Sequence, residues 1–389
     1  MRDAVIVEAV RTPVGKGKPN GALATVHPVE LLAHTLRTLI ERSGIDPALV
    51  DDVIGGTVDQ VGEQAMNTTR YAVLSAGFPE SVPATTVDRQ CGSSQQAVHF
   101  AAQGVMSGAY DMVVACGVES MSRVPMWSNV PAGADPFGPG IAERYPEGLV
   151  PQGISAELIA AKWSIGRADM DAFATTSHQR AARAWDAGLF DAETAPIAGL
   201  IRDESVRPAT TPEVLAGLKP AYYDPAFGER FPQIDWSVTA GNSSPVNDGA
   251  SAVLITTSEH AARLGLRPLA RLHSFAVTGS DPLLMLTGVL PATEKVLRKA
   301  SLTLDDIDLF EVNEAFASVV LAWLRETGAD HEKVNVHGGA LALGHPLGAS
   351  GTRLMTTLVH AMRARGARYG LQTMCEAGGL ANATILEAL

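Results

Sequence analysis

The chain has 389 residues, 46% of them hydrophobic and 19% charged, enough apolar material for two or more cooperating cores in a globular protein. Its formal net charge of −12 excludes general nucleic-acid binding, which needs a basic face to displace counterions. The same charge means that an anionic ligand has to be held by local positive groups against the overall field.

Residues 3–9 alternate and are β-branched, which predicts a strand running into the Arg11-Thr12-Pro13 turn. This opening carries no apolar signal core and no Arg/Ser-rich transit segment, and the Ala- and Gly-rich usage points to a bacterial cytoplasmic chain. No apolar run reaches the length of a membrane span. Leu32, Leu36, Leu39 and Ile40 recur at helical spacing within 27–42, and Ser43-Gly44 stops that helix. A strand is expected over 50–58, a helix over 64–76, a strand over 83–88 and a small-residue helix over 93–107. The apolar run 112–117 reads as a strand buried on both faces. This alternation indicates an α/β domain.

The composition then changes. Residues 124–151 are rich in Pro and Gly with little periodicity; helices are expected over 155–163 and 168–187, and an irregular segment runs on to Pro232. Strand character returns at 251–256. From Ala270 the earlier pattern recurs: strand 270–277, helix 292–299, strand 307–312, helix 314–327, strand 333–336, helix 351–365 and strands 369–375 and 381–387. Two α/β halves of like order, 1–118 with about 246–269 and 270–389, would therefore flank an inserted segment, 119–245, whose length points to function.

Three cysteines, Cys91, Cys116 and Cys375, form neither a disulfide framework nor a metal-ligand spacing. Cys116 lies inside an apolar run and reads as core. Cys91 sits in Asp88-Arg89-Gln90-Cys91-Gly92-Ser93-Ser94, a sharp turn between an expected strand and an expected helix. The positive end of that helix favours a thiolate, and Gly92 lets another group come close. Cys375 ends a strand before Glu376-Ala377-Gly378-Gly379. Either one alone is more often a buried structural residue; together, one suits a nucleophile and the other an acid/base, since a thiol's ordinary pKa of about 8.5 lies near working pH.

His345, between Gly344 and Pro346 in the glycine-punctuated stretch 337–351, can take the proton of a thiol or donate to an oxyanion. Asn313-Glu314-Ala315-Phe316 opens an expected helix, with Asn313 as its N-cap in the plainest reading. Residues 239–250 form a small-residue loop against which an extended ligand can lie, although by composition they are only a turn.

In this order and spacing the five segments resemble the thiolase family of coenzyme A-dependent acyl transferases, over essentially the whole length from Ile6 to Leu386. The resemblance implies an α/β, thiolase-like fold, with two duplicated βαβαβ-type domains in a layered α/β/α arrangement and an inserted loop domain that receives coenzyme A. Cys91 then resembles the acylated nucleophile, His345 its base, and Cys375 the acid/base at the α-carbon of acetyl-CoA. Asn313 resembles the residue whose bound water completes, with His345, one oxyanion hole; the backbone N–H groups of Cys91 and Ala377 would form the other. Ser244 matches a contact to the pantetheine arm and Lys219 a basic residue near the nucleotide end, while Gln152 and Phe316 fall at the substrate and coenzyme A pocket. Coenzyme A is implied as a substrate, with no bound cofactor and no metal, and a homodimer or homotetramer as the assembly.

Several positions depart from the family pattern. Ala377 stands where many members have Gly, and would be strained if the backbone there needed a positive φ. Gln152-Gly153 replaces Met-Gly, Pro245 a Gly, and His337 an Asn. The segments around 89–96 and 372–384 look closest to thiolases that degrade long or bulky acyl chains, including steroid side chains. The implied reaction is cleavage of 3-ketoacyl-CoA by coenzyme A. The alternatives are an acetoacetyl-CoA thiolase that condenses two acetyl-CoA, a non-catalytic acyl-CoA-binding relative, and a ketoacyl synthase-like enzyme, against which the second cysteine speaks.

Overall fold

A computed structural model describes residues 2–389. Strands β1 (Val5–Arg11) and β2 (Gly15–Lys16) lead into α1 (Pro28–Ser43), which Gly44 ends in a left-handed turn. β3 (Asp52–Gly56), α2 (Thr68–Ser75), β4 (Ala84–Val87), α3 (Ser93–Ser107) and β5 (Met112–Ser120) follow. The chain then leaves the sheet through α4 (Pro139–Arg144), α5 (Gln152–Lys162), α6 (Arg167–Asp186), α7 (Pro212–Ala216) and α8 (Pro225–Arg230), and returns as β6 (Asn247–Thr256) beside β5. The remainder is α9 (Ser258–Leu264), β7 (Ala270–Gly279), α10 (Val289–Ala300), β8 (Leu309–Val312) and α11 (Ala317–Thr327). It closes with α12 (Ala340–Leu343), α13 (Ser350–Arg365), β9 (Tyr369–Glu376) and β10 (Leu380–Ala388).

All ten strands join one sheet in the order β4-β3-β5-β6-β1-β7-β10-β9-β8, with β2 attached to β6. Leaving β2 aside, each half runs third-second-fourth-fifth-first when its strands are counted along the chain. In the second half the third strand is reduced to a single parallel bridge between Phe310 and Val334. The halves meet where Val5 and Ile6 of β1 pair with Arg271 and Ala270 of β7. Helices α3 and α13 lie between the halves, since one core cluster joins Ala97, Val98, Ala101 and Val105 to Met355, Leu358 and Val359, and these to strand residues of both halves. Helices α1 and α2 cover the outer face of the first half, and α10 and α11 that of the second.

The departures from the expected elements have local causes. The helix expected over 64–76 starts only at Thr68, because Met66 and Asn67 adopt φ of 61° and 62° and the Asn67 side chain caps by accepting from Arg70 N. The strand expected over 333–336 does not form. Asn335 turns left-handed (φ 47°) and its side chain takes over the ladder, Oδ1 accepting from Val312 N and Nδ2 donating to Val312 O, both at 2.9 Å. The irregular stretch to Pro232 holds α7 and α8, each capped by a side chain (Thr211, Asp224) ahead of a proline at the first helical position. Strands β5 and β6 run longer than expected, so Glu119 and Asn247 lie inside buried strands and not in loops.

Candidate active site

The expected cysteine elbow forms. Gln90 turns with φ 48°, Arg89 N donates to Ser93 Oγ at 2.9 Å, and Ser93 Oγ donates to Gln90 O at 2.6 Å, so α3 begins two residues after Cys91. Gly92 is needed for close approach: a Cβ there would overlap the Glu376 carboxyl. The elbow does not stabilise a thiolate, however. Cys91 is 6% exposed, and burial pushes its thiol up, with Cys375 and Glu376 adding to the effect. The field of a helix end is overridden by the loss of solvent around the sulfur. With its pKa raised in this way, Cys91 is held as a neutral thiol near pH 7.

His345 presents an unprotonated ring nitrogen in the same region. Its Nδ1 lies 2.6 Å from Ser350 Oγ, whose own proton goes to Pro346 O at 2.8 Å. A hydroxyl has one proton to give, so Nδ1 carries the imidazole proton and Nε2 keeps its lone pair. Burial, followed by the Arg353 guanidinium, lowers the His345 pKa to about 3, so the ring is neutral near pH 7. The backbone N of His345 donates to Asn247 Oδ1 at 3.0 Å, while Asn247 Nδ2 donates to Gly15 O and Ser205 Oγ. The imidazole loop is thus tied through β6 to the first half of the molecule.

Asn313 reaches the same point from the end of β8. Its Nδ2 lies 3.5 Å from His345 Nε2, its backbone N donates to Thr373 O at 3.0 Å, and its buried Oδ1 has no partner. It caps no helix, because α11 starts at Ala317. Residues 313–316 are instead extended against the 243–244 loop, with Ser244 N donating to Ala315 O at 2.9 Å. Cys375 lies near the end of β9, and burial followed by Glu376 raises its pKa to about 12. Val58, Cys91, Met121, Leu347 and Met374 form one packed cluster, so the elbow, the His345 loop and the Cys375 strand converge. The positive φ values fall on Gly378 and Gly379 (80° and 76°) and not on Ala377, so the Ala377 side chain is unstrained.

The residues expected at the substrate arm are less enclosed. Gln152, at the start of α5, and Ser244 are half-buried, and Lys219 is exposed. Tyr222 packs in their midst: its ring covers Gly153 and meets Phe316 edge-on at 5.9 Å between centroids. Ala221 N donates to Val238 O at 2.9 Å, which lays the Lys219 segment beside the strand-like stretch leading to Ser244. Cys116 is fully buried in β5 among core side chains, as expected.

Ser350, Asn247 and Tyr222 were not singled out from the sequence. The only signal for Ser350 is its place five residues after His345, at the start of the following helix. Among the described residues, no group of three or more His, Cys, Asp or Glu is arranged to hold a metal ion, and no helix is long and apolar enough to cross a membrane.

Comparison with known proteins agrees with this geometry. Residues 4–259 match the thiolase N-terminal domain and residues 266–388 the thiolase C-terminal domain. A steroid 3-ketoacyl-CoA thiolase of Mycobacterium tuberculosis is 48% identical over 401 residues, covering 100% of this chain and 95% of its own. A 3-ketoacyl-CoA thiolase of Bacillus subtilis is 43% identical with both chains fully covered. The crystal structure of human mitochondrial 3-ketoacyl-CoA thiolase in complex with CoA superposes with a TM-score of 0.89 at 36% identity, covering 100% of this chain and 98% of that one. The Bacillus anthracis acetyl-CoA acetyltransferase also gives 0.89, at 38% identity and with 100% and 99% covered. With both thiolase domains matched across its length, the chain is an acyltransferase of the thiolase family.

Proposed function

We propose that the protein is a degradative 3-ketoacyl-CoA thiolase acting on longer or bulky acyl chains, and that Cys91, His345, Asn313 and Cys375 carry the reaction. The observation that carries the reading is a neutral, oriented imidazole beside a buried amide oxygen without a partner, on a loop whose Leu347 packs against Cys91, with the Cys375 thiol near enough to act on the Cys91 thiol. Cys91 attacks the 3-keto carbon while its proton passes to His345 Nε2. The bond between C2 and C3 breaks, and the enolate of acetyl-CoA takes the Cys375 proton. Free coenzyme A then attacks the Cys91 thioester; its proton restores Cys375, and His345 returns its own to Cys91. The amides of Cys91 and Ala377 would form one oxyanion hole, beside the carbon bonded to the Cys91 sulfur, and His345 with a water on Asn313 the other.

Coenzyme A is a substrate in this reading and no bound cofactor takes part. Ser244, Lys219, Gln152 and Phe316 line its approach from the 119–245 loop domain, which sits between the two α/β domains at 1–118 with 246–269 and at 270–389. A cytoplasmic homodimer or homotetramer is the proposed form; β4, at one end of the sheet, leaves a backbone edge for a second copy. The condensing alternative has less support, because the curated relatives at 48% and 43% identity carry the 3-ketoacyl-CoA name.

The test is a panel of 3-ketoacyl-CoA substrates of increasing length and bulk, read by kcat/KM and by the mass added to the Cys91 peptide. We expect kcat/KM to rise at least about tenfold from acetoacetyl-CoA to long or polycyclic substrates, the scale at which pocket contacts discriminate apolar groups. An optimum at acetoacetyl-CoA would overturn the acyl preference, and acylation away from Cys91 would overturn the mechanism.

A further inference from the structure

Glu119 has no part in the proton transfers above, yet it is fully buried and its carboxylate accepts four hydrogen bonds. Oε2 accepts from Val58 N at 2.9 Å and Gly348 N at 2.8 Å; Oε1 accepts from Asp59 N at 3.2 Å and Gln64 Nε2 at 2.6 Å. Val58 and Asp59 follow β3 and Gln64 precedes α2, all in the first half of the chain. Gly348 belongs to the second half, three residues beyond His345 and two before Ser350. A single oxygen of Glu119 thus joins the first half to the middle of the base loop. Gln64 is held in turn, its Oε1 accepting from Ser120 N at 2.7 Å.

The surrounding glycines explain why this contact is so close. A Cβ on Gly348 would lie 2.7 Å from Gly56 O, 2.7 Å from Thr57 Cα and 2.8 Å from Glu119 Oε2. A Cβ on Gly117 would overlap Gly348 O, and one on Gly56 would overlap Ser94 N at the start of α3. The ends of β3 and β5, the first turn of the nucleophile helix and the base loop therefore touch backbone to backbone. Burial pushes the Glu119 carboxyl up to about 7 while the four N–H groups pull it back. Three of those donors are backbone amides that have no acceptor form to offer.

We propose that Glu119 is a positioning residue for the thiolase reaction: by holding Gly348 N it fixes the 345–350 loop, and so the aim of His345 Nε2 at the Cys91 sulfur. The inference rests on the role proposed above for His345, so its test includes a check on that role. Asn247 restrains the start of the loop and Ser350 its end; Glu119 restrains the middle, where the loop crosses from one half to the other. A shift of about 1 Å in a catalytic group costs on the order of a hundredfold in rate.

The experiment makes Glu119→Ala and Gly348→Ala in the full chain, each alone and combined with His345→Ala, and measures kcat and the KM for coenzyme A in thiolysis. Glu119→Ala removes the acceptor, and Gly348→Ala pushes the loop off the same carboxylate. Each single variant should lower kcat about a hundredfold with KM changed less than about threefold, and neither should lower kcat further once His345 is gone. A folded Glu119→Ala with kcat within about threefold of the parent, or an equal further loss in the His345→Ala background, would overturn the proposal. If Glu119→Ala does not fold, Gly348→Ala decides by the same criteria. Full activity of His345→Ala alone would instead sink the reading on which the proposal stands.

Discussion

The chemical centre and the substrate approach are built in opposite ways. Around His345 and Asn313 buried hydrogen bonds set the geometry: Ser350, Pro346 and Asn247 fix the imidazole, and Thr373 fixes the Asn313 backbone, while Asn313 Oδ1 is left without a partner. Along the proposed coenzyme A path, Lys219 is exposed, Gln152 and Ser244 are half-buried, and the organising contact is the ring of Tyr222. A buried polar group left without its partner costs about 1–3 kcal/mol, so the centre tolerates few substitutions. A half-exposed side chain costs little to replace. The polar groups around His345 and Asn313 are therefore fixed in the interior, whereas side chains along the proposed path can change without endangering the fold.

Variants can sharpen or break that contrast. The largest effect should come from Cys91→Ser, which keeps the shape and replaces the better nucleophile; thiolysis should fall by at least about a thousandfold. Retention of a tenth of the activity would mean that the centre is not organised around this sulfur. An intermediate effect should appear in the pH dependence of labelling. Because burial raises the Cys91 pKa and lowers that of His345 to about 3, the pair is neutral at pH 7, and the thiolate fraction grows with pH. Iodoacetamide should label Cys91 about tenfold faster per pH unit from 7 to 9. A plateau between pH 6 and 8 would indicate a thiolate–imidazolium pair and a less enclosed centre. The smallest effect belongs to Lys219→Ala, which should raise the coenzyme A KM a few-fold, as expected for one exposed charge, and leave kcat unchanged. An unchanged KM would remove Lys219 from the path.

The linkage of His345 to stability follows with its sign. Its folded pKa lies below the ordinary value of 6.5, so its contribution is complete above about pH 6.5 and is lost as pH falls towards 3.

Much of this organisation was legible in the residues. The helix over 93–107 was expected with the bounds it has, and the recurrence after Ala270 does reflect two sheet halves of one strand order. What escaped the sequence was decided by single side chains acting at long range. Nothing in the pattern around 333–336 reveals that Asn335 will adopt a left-handed turn and replace a strand with its amide. Asn313 reads as a helix cap because Asn caps helices, whereas its backbone N–H, donating to Thr373 O, keeps it at the end of β8. The thiolate expected at the elbow is overridden by burial from β9, 284 residues away in sequence at Cys375. Glu119 was read as the start of an insertion because its four partners are scattered between Val58 and Gly348.

The turn at Asn335 bears on how many copies can assemble. With Asn335 N donating to Phe310 O and its amide bonded to both the N and O of Val312, the outward groups of β8 are already used. At the other end of the sheet the cover is partial: on β4, Asn67 Nδ2 donates to Ala84 O at 2.9 Å. A sheet with two bare ends can propagate, each new copy exposing another edge, whereas a sheet bare at one end is finished once that end meets its own twofold mate. One asparagine side chain thus closes the β8 end of the sheet to a further strand.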